Sequence, residues 1–165
     1  KSDNLSAEMT LRALAHENTG KYASAEDGVE MVDSLIKIIG FNPENYRIVD
    51  GSGVSHYNLV SAELLLGILK YFYDEENDLY EILRNSFPVA GVDGTLENRM
   101  EDGSAYKRVH AKTGTLSGVS CLSGYAKVNN GNNLAFSIMV QNHVDNWRKA
   151  VNFQDEICNI IADYE

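Results

Sequence analysis

Near residue 105 the hydrophobic period of this 165-residue chain changes, and that change restricts the fold more than any other feature. Upstream, apolar residues recur at helical spacing. Residues 5–17 repeat them through Leu5, Met9, Leu11 and Leu14, with Ser6 or Asn4 as the expected cap. Ser24, followed by Asp27 as a capping-box acid, opens a second helix through Val29, Val32, Leu35, Ile36 and Ile39 to Gly40. Asn42-Pro43-Glu44-Asn45 reads as a turn, Tyr46 to Val49 as a short extended piece, and residues 50–55 as a loop. Ser61 caps a leucine-rich helix to about Tyr73, and a fourth helix covers about Leu79 to Asn85. Pro88 to Met100 reads as loop with a short helix. Downstream the period becomes that of strands: Val109 to Lys112, Val119 to Val128 and Leu134 to Gln141, with residues 129–133 as a hairpin. Residues 146–163 form a closing helix. Helices, then three antiparallel strands, then one helix predict an α+β domain. Its helical part spans about 1–100, and its sheet and closing helix about 105–165. A three-stranded sheet covered by one helix leaves a face and an edge open, so a further piece is expected to cover them, and the uncovered edge is a route to self-association.

Composition excludes some partners. A net charge of −10 argues against nucleic acid or an anionic membrane surface. No apolar run approaches the roughly 20 residues that span a bilayer. The chain opens on Lys1 without a signal peptide, as a trimmed product would. Cys121 and Cys158 match no metal spacing, and His16, His56, His110 and His143 show none either. Two buried free thiols are the expectation, with a disulfide the alternative in an oxidising compartment. No metal or cofactor is called for.

Chemistry concentrates in two short motifs. Ser2-Asp3-Asn4 opens the chain, and Lys112-Thr113-Gly114 follows about 110 residues later. These are two of the three elements that penicillin-recognising serine enzymes use, the third being a Ser-x-x-Lys that carries the nucleophile. Acyl transfer by serine needs an activated hydroxyl, a base, oxyanion donors and a proton source for the leaving amine. Lys112 on a strand can present an ammonium into a cleft. Thr113 and Thr115 share one face by alternation and, with Lys112, could hold a substrate carboxylate. Gly114 lets a ligand approach the backbone closely. The Thr115 N–H could serve as an oxyanion donor. Ser2 can relay a proton, and Asn4 can bind a substrate amide. Each motif alone also has a plain structural account, a strand end running into a turn and a helix N-cap.

The flanks of these motifs resemble one family, the D-alanyl-D-alanine carboxypeptidase/endopeptidases of the penicillin-binding protein 4 type. Ser2-Asp3-Asn4-Leu5 with Ala7-Glu8, Asp50-Gly51-Ser52-Gly53-Val54-Ser55 with Tyr57-Asn58, Pro88 to Leu96 with Arg99, Ala111 to Leu116 with Gly118-Val119-Ser120, Leu122 to Tyr125, and Phe136 to Met139 each look like a segment of that family. Val54 departs from a common Leu. The resemblance implies the penicillin-recognising (β-lactamase/transpeptidase-like) fold, a periplasmic or wall-facing location, peptidoglycan stem peptides as substrate and β-lactams as ligands. It also implies that this chain is the C-terminal part of the enzyme, completed by a missing N-terminal part that carries Ser-x-x-Lys.

Two segments imitate the missing element. Ser34-Leu35-Ile36-Lys37 lies mid-helix and after Ser-Asp-Asn, and Ser104-Ala105-Tyr106-Lys107 lies in a polar loop; neither is expected to act. His110, two residues before Lys112, is the histidine nearest the motif. Asp50 and Ser52 could be read with a histidine as a triad, but a turn held by their side chains is the simpler account. Arg99 could bind a carboxylate, though a structural ion pair is the commoner account. Two other function classes stay open: a non-catalytic wall-binding module, and a β-lactamase-like hydrolase, for which no Glu-containing motif supplies a deacylating base.

Overall fold

The computed structural model describes residues 2–144 and 146–165, apart from the side chain of Asn77. The chain forms two compact units that divide between Leu64 and Leu65. The five helices and three strands fall in the predicted order.

In the first unit, helix α1 (Asn4–Thr19) is followed by α2 (Ala25–Ile38) and a 3₁₀ turn at Pro43–Asn45. The expected α1 cap is corrected. Asp3, in extended conformation, accepts the Ser6 N–H on Oδ1 at 2.7 Å. Both Asp and Asn are good caps, and backbone geometry selects between neighbours that composition cannot separate. The capping box of α2 is as predicted: Ser24 Oγ accepts the Asp27 N–H at 3.2 Å, and Asp27 Oδ2 accepts the Ser24 N–H at 2.7 Å. Leu11, Ala15 and Ile36 are buried, whereas Leu5, Met9 and Leu14 on α1 are exposed. The apolar residues of α1 are spread around its circumference, so one stripe meets α2 and the rest do not.

Helix α3 (Ala62–Glu75), capped by Ser61 Oγ on the Leu64 N–H at 3.1 Å, begins in the first unit and continues into the second. There follow α4 (Asn77–Ser86), a 3₁₀ turn at Gly94–Leu96, strands β1 (Val109–Leu116), β2 (Val119–Lys127) and β3 (Asn133–Gln141), and helix α5 (Trp147–Ala162). The sheet is antiparallel in the order β1-β2-β3. β1 is longer than predicted: it passes through Lys112-Thr113-Gly114 and turns only after Leu116.

Alternation divides the sheet into two faces. Val109, Ala111, Leu122, Ala126 and Phe136 point to one side and pack with Cys158 and Ala162 of α5 and with Leu96 and Met100. The expectation that the other face lies open is corrected. Tyr125 is buried there against Leu69 of α3 and Tyr80 of α4, and its hydroxyl donates to Leu69 O at 2.7 Å. The predicted open edge is also partly closed. Ala111 N–H donates to Pro88 O at 3.0 Å, and Ala90 N–H to Val109 O at 2.9 Å.

Two arginines fasten α5. Arg99 pairs with Asp155 at 2.6 Å and donates to Gln154 Oε1 at 3.1 Å, the structural ion pair expected of it. Arg108 donates to Lys127 O at 2.8 Å, Asn129 Oδ1 at 3.1 Å and Ala162 O at 2.7 Å, joining the end of β2 to the end of α5.

Gly124 pairs with Ala111 across β1 and β2. A Cβ there would lie 2.1 Å from His110 O and 2.6 Å from the Ala111 Cα, both backbone atoms that cannot move without parting the strands. Gly124→Ala should therefore lower the unfolding free energy by about 2 kcal/mol or more, read from the denaturation midpoint of the purified chain.

Candidate functional site

The residues singled out in the sequence fall on both units. In the first, Ser2 precedes the Asp3 cap and Asn4 is the first residue of α1. Both side chains are exposed and, among the described residues, engaged in no hydrogen bond. The middle residue of the motif thus builds the helix terminus, and the outer two remain available.

Glu8, which in the sequence merely flanks the motif, lies one turn further on. Its Oε1 accepts the N–H groups of Gly51 and Ser52 at 3.1 and 3.0 Å, and its Oε2 pairs with Arg12 at 3.3 Å. Asp50 folds the loop itself. Oδ1 accepts from Gly53 N–H at 2.6 Å and Asn58 Nδ2 at 3.0 Å, and Oδ2 from Ser55 N–H at 2.7 Å. Asp50 therefore holds a turn rather than serving a hydrolase triad, and Ser52 contributes its backbone N–H to Glu8. The Ser52 hydrogen bond lowers the Glu8 pKa. Partial burial pushes Asp50 upward, but the bonds from Asn58 and the Ser55 and Gly53 amides outweigh it and hold this carboxyl low as well. A pocket of about 400 Å³ lined by Ala7, Thr10, Leu11, Leu14, Val32 and Ile48 runs beside this loop and includes neither Ser2 nor Asn4.

In the second unit the candidate residues lie on β1. The bonds of Val109 and Ala111 to the Pro88–Ala90 segment show that odd-numbered residues of β1 direct their amides and carbonyls to the outer edge. Even-numbered residues bond to β2. Pro88–Ala90 stops opposite residue 111, so Thr113 and Thr115 turn their backbone groups to an edge uncovered among the described residues. Their side chains share a face, as predicted, and that face is the one α5 packs on; Lys112 lies on the other.

Lys112 Nζ curls over the edge and donates to Thr113 O at 2.5 Å. Partial burial lowers its pKa. Thr113 Oγ1 donates to Thr95 Oγ1 at 2.9 Å. A Cβ on Gly114 would meet only the Cys121 Cβ, at an ordinary 3.5 Å, so among the described residues nothing requires glycine there. In the row of Lys112, Ser123 and Ser137 bond through their hydroxyls at 2.8 Å.

His110 shares the Lys112 face but is committed elsewhere. Its Nε2 meets Arg84 Nη2 at 3.2 Å, so the ring is neutral with its proton on Nδ1. Burial first and the guanidinium second lower its pKa. The decoys behave as expected. Ser34 Oγ donates to Glu30 O at 2.9 Å on the exposed side of α2, and Ser104 lies in the turn before β1. Both cysteines are free. Cys158 is buried and its thiol is pushed up to about 12, whereas Cys121 is only half-buried. Among the described residues no helix is long and apolar enough to cross a membrane.

Comparison with known proteins gives a consistent result. A family model described as the D-Ala-D-Ala carboxypeptidase 3 (S13) family matches residues 1–164. D-alanyl-D-alanine carboxypeptidase DacB of Haemophilus influenzae is 38% identical over 138 residues, covering 82% of this chain and 28% of that protein. The D-alanyl-D-alanine carboxypeptidase of Actinomadura sp. (strain R39) is 36% identical over 168 residues, 99% of this chain and 30% of that one. The crystal structure of penicillin binding protein 4 (dacB) from H. influenzae superposes with a TM-score of 0.90 at 32% identity, over 99% of this chain and 38% of that one. The chain thus spans less than a third of the length of these curated relatives.

Glu8 and Asp50 have folded-state pKa values below their unfolded ones, so what they contribute is present above about pH 4 and is lost as pH falls through the lowered values. Below about pH 4 the loop should loosen while the core persists. Amide exchange at Gly51, Ser52, Gly53 and Ser55 should accelerate before that of Leu122 or Ala126, and Glu8→Ala should produce the Gly51 and Ser52 acceleration at neutral pH.

Proposed function

The chain belongs to the D-Ala-D-Ala carboxypeptidase 3 (S13) family, and from that premise we propose that its 165 residues are the C-terminal portion of a transpeptidase-like domain in a serine DD-peptidase. The substrate is the D-Ala-D-Ala end of a peptidoglycan stem peptide, with cross-link cleavage as a second activity of the same centre. The nucleophilic serine and its lysine come from a Ser-x-x-Lys outside these residues.

The observation that carries this is the open edge of β1, where two outward amides adjoin an ammonium and two threonine hydroxyls. The serine oxygen adds to the penultimate D-Ala carbonyl, and the oxyanion that develops takes the Thr115 N–H, a donor already oriented along the edge. The terminal carboxylate is held by Thr113 and Thr115 with the charge of Lys112 beside it. Gly114 leaves the strand backbone approachable. Partial desolvation lowers the Lys112 pKa and makes it a readier proton donor than a free lysine, suited to protonating the departing D-Ala amine. Ser2 is the proposed proton relay. Asn4 binds a substrate amide. The carbon–nitrogen bond breaks, D-Ala leaves, and water releases the acyl group from the serine.

β-Lactams fit the same scheme. The H. influenzae penicillin binding protein 4 complexed with a novel β-lactam superposes on this chain with a TM-score of 0.88 at 32% identity. A β-lactam carries a carbonyl to be attacked and a carboxylate to be held. Action on peptidoglycan puts the enzyme in the periplasm or facing the wall. Its partners are the stem peptide, β-lactams and the remainder of its own polypeptide.

The 165-residue chain alone should take up no covalent penicillin; an adduct of one penicillin per chain by intact mass would overturn the assignment. In the complete enzyme, Lys112→Met should slow penicillin acylation by about 10²-fold or more. Ser34→Ala should leave it within about two-fold, since that hydroxyl is spent on a helix carbonyl.

A further inference from the structure

Among the described residues, the side chains of β1 residues 112–115 have one hydrogen-bond partner beyond their own strand, the Thr95 hydroxyl. Thr95 is exposed, and so is its hydrogen bond with Thr113. Its backbone is held firmly. Leu96 beside it is fully buried, Gly91 N–H donates to Leu96 O at 3.0 Å, and Leu96 N–H donates to Asp93 O at 3.1 Å. Asp93 Oδ1 in turn accepts from Val89 N–H at 2.8 Å, and Pro88 bonds to β1 itself. The turn that carries Thr95 is thus braced against the strand it serves.

A hydroxyl has one proton to donate and two lone pairs with which to accept. In the free chain the Thr113 proton is directed at Thr95 Oγ1. A carboxylate only accepts, so binding one requires Thr113 to release that proton from Thr95. Rotation of the two hydroxyls, with a small adjustment of the Thr95 side chain, reverses the pair. Thr95 then donates to Thr113 Oγ1 and Thr113 donates to the carboxylate. Each bond in such a chain polarises the next.

We infer that Thr95 is a positioning residue for the carboxylate of the substrate, setting the Thr113 rotamer and returning a proton to Thr113 when the ligand takes one. This rests on the proposed role of Thr113 in binding that carboxylate.

The test compares Thr95→Val, Thr95→Ser, Thr113→Val and the Thr95→Val/Thr113→Val pair in the complete enzyme. It uses a D-Ala-D-Ala peptide, benzylpenicillin and benzylpenicillin methyl ester. Thr95→Val should raise KM for the peptide and lower the benzylpenicillin acylation rate by about three- to ten-fold, the range of one neutral hydrogen bond, with kcat and the melting temperature little changed. Thr95→Ser should restore both values, the ester should acylate at the same rate in all variants, and Thr95→Val should add nothing to Thr113→Val. If Thr113→Val impairs the peptide and Thr95→Val does not, the inference fails while the carboxylate role of Thr113 stands. An equal loss with the ester, or no rescue by serine, would reduce Thr95 to a structural residue and overturn the inference. Should Thr113→Val itself have no effect, the carboxylate role falls, and this inference with it.

Discussion

A β-strand offers side chains to two faces and backbone groups to two edges, and β1 uses all four. One face carries Val109 and Ala111 into the core beneath α5, and the other carries His110 and Lys112. One edge is bonded to β2 along the whole strand. The other is bonded to Pro88–Ala90 as far as residue 111 and is then uncovered among the described residues. Its first residues are fixed in the core, so the amides of Thr113 and Thr115 point outward already ordered. For the proposed acyl transfer this is the kind of preorganisation from which enzyme electrostatics gain most.

The surrounding structure maintains this geometry. Gly124 lets β2 lie against β1 with no side chain between them, at a spacing where a single methyl would meet backbone. Arg108 ties the end of β2 to the last turn of α5, and Arg99 ties the 3₁₀ region to its middle. The Thr95 turn, with Leu96 sunk in the core, sits over the strand like a bracket. The first unit works by a different device. Its motif stands at a helix N-terminus, where Asp3 meets the backbone demand for a cap and leaves Ser2 and Asn4 exposed, while the carboxylates Glu8 and Asp50 hold the neighbouring loop through backbone amides.

Where local sequence carries the physics, it was legible. Capping at Ser24 and Ser61 followed from side-chain chemistry three residues from its target. The same-face placement of Thr113 and Thr115 followed from alternation alone. Less legible was the cap of α1, where three polar residues in a row could each serve and only backbone dihedrals decide. Threonine and glycine after Lys112 resemble a turn and suggest that the strand ends there, but pairing with Cys121 and Leu122 extends it. Glu8 and Thr95 were missed as partners because their bonds span 43 and 18 residues, a separation at which one sequence carries no pairwise signal.

By itself, then, the sequence determined the order and kind of the elements, the two motifs and the family to which they belong, since all of these depend on periodicity and on short runs of residue types. Tertiary structure decided which backbone groups of β1 remain free, which hydroxyl meets Thr113, and that the α3–α4 helices lie over Tyr125. Those are contacts between distant segments. They are selected by packing and by the need to pair buried polar groups, and they come into being only when the chain is closed on itself.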